Sequence, residues 1–147
     1  MKQLVRACIP AVLLFGCFGG QPIMENVNPE IAPSKFRVIA TIAAGDAGPD
    51  LRMSATVRQQ LNDAGWTAIR RAGRWESERA AIIDICSGGD VDGVLFIAFN
   101  RLELDDCESQ RPAYRIDGSP DKGVGLTDMV ERLMTYLRGQ DLGPMPN

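Results

Sequence analysis

The sequence contains no histidine. That one absence excludes a Ser-His-Asp triad, a Cys-His pair and His-ligated zinc. It has four cysteines but no CxxC spacing, and only 6% of its 147 residues are aromatic. An excess of positive charge is missing too. The net charge of -3 and a pI of about 5.0 argue against nucleic acid as a partner. No apolar run approaches the ~20 residues that a membrane-spanning helix needs. No nucleophile elbow, metal constellation or cofactor fingerprint occurs, so no catalytic residue, metal or cofactor is assigned and the chain is not read as an enzyme. What remains is 45% hydrophobic and 24% charged, the composition of one ordinary globular domain.

The first residues differ from the rest. Lys2 and Arg6 form a short positive region, and the apolar run at 7–15 then meets Gly16 and Cys17. A positive start, an apolar core of this length and a small residue before a cut form the secretory signal pattern. Leu14-Phe15-Gly16-Cys17 resembles the bacterial lipoprotein box, with leucine three before the cysteine and glycine just before it. The resemblance implies cleavage before Cys17 and acylation of its thiol. Phe15 stands where that family usually has a smaller residue, and ordinary secretion with cleavage nearby is the alternative. Phe18 rather than Asp follows the cysteine, which in such lipoproteins implies sorting to the outer membrane, periplasmic face. Acyl chains contribute roughly 0.8 kcal/mol per buried CH2, so the anchor would be stable. Residues 1–16 hold two of the 16 Lys and Arg residues and none of the 19 acids, leaving a net of -5 beyond them. Such a surface gives no second, electrostatic contact with anionic headgroups.

Cys8 would leave with the leader and Cys17 would be acylated. Cys86 and Cys107 then remain, and an oxidising compartment makes their pairing the expected state, against two free thiols. Closing a loop of about 20 residues would stabilise the fold by roughly 3 kcal/mol.

Four segments follow from composition and periodicity. Residues 1–16 read as a signal peptide, 17–35 as a flexible linker whose N-terminus the lipoprotein-box resemblance implies is acylated, 36–139 as an α/β domain, and 140–147 as a loose tail. Residues 18–35 carry three prolines and no periodicity, hence the linker. Residues 36–43 read as a strand. A helix opening at Pro49-Asp50 would bury Met53, Val57, Leu61 and Ala64. A short strand at 66–71 precedes a helix opening at Glu76-Ser77-Glu78, with Arg79, Ile82, Ile83 and Cys86 on one face. Residues 91–104 read as one long strand whose run 94–99 is apolar throughout, as in a strand buried on both faces. Beyond Asn100 the pattern alternates, with Leu102 and Leu104 inward. A polar loop at 105–112, a strand at 113–117 and a last helix bearing Leu126, Met129, Val130, Leu133 and Leu137 complete the order β-α-β-α-β-β-α. That alternation predicts an α/β domain with a mixed sheet covered by helices.

Several clusters could carry chemistry. Gly45-Asp46-Ala47-Gly48 lies between a strand and a helix, where a phosphate could sit. Its spacing matches no phosphate loop, and a connecting turn is the plainer reading. Asp90-Val91-Asp92-Gly93 opens like a calcium loop but has Val94 and Arg101 where further acids belong. Glu103, Asp105 and Asp106 gather where a hairpin tip would leave them solvated. Arg70, Arg71 and Arg74, with Trp75, form the one basic cluster. Trp66 and Trp75 read as core-rim residues. Arg101, Glu103 and Arg115 are expected on an exposed strand surface beyond the helical cover, free to meet a partner.

Four stretches resemble the TolB amino-terminal-like group, which includes the penicillin-binding-protein activator lipoproteins and the curli-secretion lipoprotein. They are Phe36-Arg-Val-Ile-Ala, Val57-Arg-Gln-Gln-Leu-Asn-Asp-Ala-Gly-Trp66, Asp92-Gly-Val-Leu-Phe, and the helix Leu126-Thr-Asp-Met-Val-Glu-Arg-Leu-Met-Thr-Tyr-Leu. The usual Pro-Phe after the first strand is replaced by Ile42-Ala43-Ala44. The resemblance implies an envelope lipoprotein that binds a protein partner in envelope assembly or supports a membrane complex. A lipoprotein binding a lipid or glycan is the alternative.

Overall fold

The computed structural model describes residues 24–145. The leader, Cys17 and residues 18–23 lie outside them. Six strands form one mixed sheet: β1 (Met24–Val27), β2 (Val38–Ala43), β3 (Thr67–Arg70), β4 (Gly93–Ala98), β5 (Arg101–Asp106) and β6 (Arg111–Asp117). Three helices pack on it: α1 (Gly48–Asp63), α2 (Glu78–Ser87) and α3 (Leu126–Leu137). The strand order is β1-β6-β5-β4-β2-β3, with β2 parallel to β3 and β4 and the other pairs antiparallel. The mixed α/β domain expected from the sequence is therefore present.

The two parallel pairs come from the two helical crossovers. From β2 the chain steps outward to β3 through α1, then back past β2 to β4 through α2. Right-handed crossovers in opposite directions place their helices on opposite sheet faces. Helices α1 and α3 thus cover one face, where Val57, Leu61, Met129 and Leu133 meet Ile39, Leu95, Ile97, Leu102 and Leu104. Helix α2 covers the other, with Ala81, Ile82 and Ile85 on Ala40, Ile42, Val94 and Phe96. Strand β4 feeds both cores, which is why its sequence is apolar at successive positions. Gly93 begins it because the Phe36 ring and the Asp105 carbonyl approach to 2.8 Å of where a Cβ would stand.

Helix α2 starts at Ser77, whose Oγ accepts from the Ala80 amide at 3.1 Å. The Asp128 carboxylate accepts from the Gly125 amide at 2.9 Å and closes the start of α3. Cys86 and Cys107 are joined with a Cα–Cα distance of 5.1 Å, tying the end of α2 to the residue after β5.

Three expectations are corrected. Residues 24–35 are not linker: Met24–Val27 pairs with β6 and Pro33–Lys35 forms a 3-10 turn, with Ile31 buried beside it. Residues 91–104 are two strands, turned at Phe99 and Asn100, so that β4 and β5 pair antiparallel. The buried face of α2 is Ala81, Ile82 and Ile85, and Ile83 is 46% exposed.

Phe96 lies 3% exposed in the α2-side core. Phe96→Ala is expected to cost roughly 3–5 kcal/mol in urea unfolding. A loss under ~1 kcal/mol would mean this core is not packed as described.

Candidate functional site

The face bearing α2 changes character across the sheet. Under the helix it is apolar. On β5, β6 and β1 the same face presents Arg101, Glu103 and Asp105, then Arg115 and Asp117, then Met24 and Asn26, as the cross-strand register requires. The opposite face of these strands carries Leu102, Leu104, Tyr114 and Ile116, so alternation along each strand segregates the two sets.

The charged side chains are interlocked. Arg115 lies opposite Glu103 and reaches it at 3.1 Å, while its Nε and Nη2 donate to the Asp117 carboxylate at 2.8 and 3.0 Å. The Asp117 bonds, with the Glu103 pair, hold the Arg115 guanidinium above its ordinary pKa against the opposing effect of partial burial. Arg101 pairs with Glu78 at the start of α2. Arg79, from the next position of α2, donates to the Gln110 carbonyl. Beneath this layer Asp105 is 2% exposed, and its Oδ2 has no hydrogen-bond partner. Burial, then the negative charge of Glu103, pushes its carboxyl up to about 7.

Arg101, Glu103 and Arg115 are thus brought together, but they are not the free surface groups expected. Glu103 is buried at 9% exposure and the two arginines are half-buried and paired. Nor are Asp105 and Asp106 solvated. Asp106 faces the other way, where burial opposes its charge. Its bonds from Lys35 and from the Ser109 amide and hydroxyl outweigh that and hold it below the usual carboxylate range. Lys35 lies 2.7 Å from Asp106 and 2.7 Å from Glu108 and rises in pKa through those two bonds. The burial of Glu103 and Asp105 was missed because alternation shows only that they turn away from Leu102 and Leu104. It does not show that the N-terminus of α2 and the 107–110 turn close over them.

The other clusters disperse or lose their chemistry. Asp92 accepts from the Arg37 and Val38 amides at 2.8 Å each and starts β2, while Asp90 pairs with Arg71. That is a turn, not a calcium loop, and no group of acids and cysteines among the described residues is arranged for a metal. Gly45, Asp46, Arg58, Arg70, Arg71 and Trp75 do converge, lining a cleft of about 140 Å³ beyond the ends of β2 and β3. Arg74 is not among its lining residues. The indole of Trp75 donates to Asp84 at 2.9 Å, and Trp66 packs on the α1–α3 core beneath Arg138.

The raised Asp105 pKa makes stability pH-dependent. The folded state keeps a proton that the unfolded chain has lost, so stability falls as pH rises from about 4 to about 7 and the penalty is complete above that. Asp105→Asn is expected to raise stability at pH 8 by on the order of 2 kcal/mol and to make no difference at pH 3.5. Equal effects at both pH values in thermal melts would show that the Asp105 carboxyl titrates alike in the folded and unfolded chain.

No protein-family model and no curated protein matches the chain. Among solved structures it is similar to the PelC dodecamer from Paraburkholderia phytofirmans, at 12% identity over 82% of this chain and 99% of that one, with a TM-score of 0.47. It is similar also to histidyl-tRNA synthetase from Nostoc sp. PCC 7120, at 16% identity over 73% of this chain, with a TM-score of 0.45. The chain spans 24% of the synthetase's length. At these identities and scores neither likeness bears on what the chain does.

Proposed function

We propose that this chain is exported, anchored through acylated Cys17 at the periplasmic face of the outer membrane, and binds a protein partner in the cell envelope. The observation that carries the partner-binding reading is the half-face of the sheet beside α2. Two adjacent strands there, β5 and β6, carry charged groups already fixed in position by one another, with Asn26 and Met24 of β1 exposed at the margin. Charges held in place before contact lose little freedom on docking and select a partner by complementarity. The disulfide supports the oxidising compartment. The lipoprotein box and the resemblance to the TolB amino-terminal-like group support the same address.

The lipid or glycan alternative draws on the cleft at Arg58, Arg70 and Trp75, whose 140 Å³ is well under the ~300 Å³ at which small-molecule sites begin. Wider hollows, up to about 520 Å³ beside Lys35 and Asp106, are open to solvent. A general-acid role is suggested by the pKa of Asp105 but opposed by its 2% exposure, which keeps substrate away.

Asn26→Arg places a bulky cation on the half-face next to Arg115 without breaking an ion pair. In intact envelopes it is expected to abolish crosslinking of the partner to this face while thermal melting stays unchanged. Cys17→Ser is expected to release a folded domain to the soluble fraction. Full crosslinking in the Asn26→Arg variant, or crosslinking equally strong from the exposed Ile83 on α2, would reject the docking face.

A further inference from the structure

We propose that the end of the domain bearing Met24, Leu51 and Phe99 rests on the lipid surface that holds the acyl anchor, with Phe99 inserted at the headgroup–acyl boundary. The inference rests on the anchor reading and adds an orientation to it. Five large apolar side chains stand exposed among the described residues: Met24, Val27, Leu51, Ile83 and Phe99. Three lie at one end. Met24 pairs with Asp117, Asp117 with Arg101 and Arg101 with Ala98, so a single row crosses the sheet just below the Phe99–Asn100 turn. The Gly118 amide donates to the Asn100 carbonyl at 2.8 Å, binding that turn to the end of β6. Strand β2 stops at the same end, and Leu51 sits in the first turn of α1 beyond it.

Phe99 is 63% exposed, the most open large apolar side chain described. It stands in a two-residue turn, where glycine and asparagine are the ordinary choices. The chain arrives from the anchor at this end. Six residues separate Cys17 from Met24, which caps the distance between them at about 25 Å even when fully extended. The ionic groups here alternate in sign, with Arg70 and Arg74 beside Glu76 and Glu78, and Asp46 and Asp50 beside Arg52. The contact is therefore apolar, not electrostatic. The tether keeps the local lipid concentration high, so one aromatic side chain and two aliphatic ones suffice to set the orientation without binding vesicles on their own.

The test places a tryptophan in the full-length acylated protein, by Phe99→Trp or Ile83→Trp, in phosphatidylcholine–phosphatidylglycerol vesicles with or without bromine on the acyl chains. Emission is compared with that of the parent carrying Trp66 and Trp75. The tryptophan added at position 99 is expected to lose most of its emission to brominated lipid, at low and high salt alike, while that at position 83 keeps its own. An unquenched position 99 open to aqueous acrylamide, or equal quenching at both positions, would overturn the orientation. The mass of the mature N-terminus separates the two failures. Acylated Cys17 with unquenched emission defeats this inference alone, and an unacylated Cys17 defeats the anchor and the orientation together.

Discussion

The ion pair between Glu25 and Arg132 fixes the first strand to the rest of the molecule. Arg132 lies on α3, 107 positions along the chain, and its Nη2 reaches a Glu25 oxygen at 2.6 Å with both side chains largely buried. The Tyr114 hydroxyl donates to Glu25 at 2.6 Å, and its ring stacks on Tyr136 with centroids 4.9 Å apart. The bonds to Glu25, joined by its charge, hold the Arg132 guanidinium above its ordinary pKa against partial burial. Burial, then the Glu25 bond and charge, raises Tyr114 so that it stays a neutral donor. An isolated buried charge is costly, and breaking such a pair costs roughly 3–5 kcal/mol. The pair makes β1 a sixth strand and fixes at which end of the domain residue 24 stands.

The second constraint is the division of labour along β4. It is apolar on both faces because helices cover it on both. The next strand outward, β5, is apolar on only one, since only the polar N-terminus of α2, with Glu78 and Arg79, reaches it. The charged half-face follows from that limit of helical cover, and Asp105 is buried where the N-terminus of α2 and the 107–110 turn close over it. The buried apolar side chains lie on both faces of β2 and β4 and under α1 and α3. The surface that can be spared for recognition lies on the β5–β6–β1 side.

Much of this was legible from the residues. The doubly apolar run at 94–99, apart from Phe99, which turns out exposed, the stripe Met129, Val130, Leu133 and Leu137, and the Cys86–Cys107 pairing all rest on periodicity or compartment, which act locally or through composition. What was hidden depends on distant contacts. Met-Glu-Asn-Val at 24–27 has neither alternation nor strong strand propensity, and becomes a strand only because Arg132 and Tyr114 wait for Glu25. The Phe99–Asn100 turn carries no glycine, so 91–104 reads as uninterrupted. Glu103 and Asp105 look solvated because charges alternating with Leu102 and Leu104 read as the water-facing side of a strand, while their neighbours in space are α2 and the turn after β5.

Amide hydrogen exchange at residues 24–27 measures most directly whether this lock exists. In the wild-type protein the β1 amides that bond to β6 should be protected to about the same degree as those of β6 itself. In Glu25→Ala they should exchange as fast as an open chain while β4 stays protected. Fast exchange at these positions in the wild type would contradict the lock and return residues 24–35 to the role of a linker.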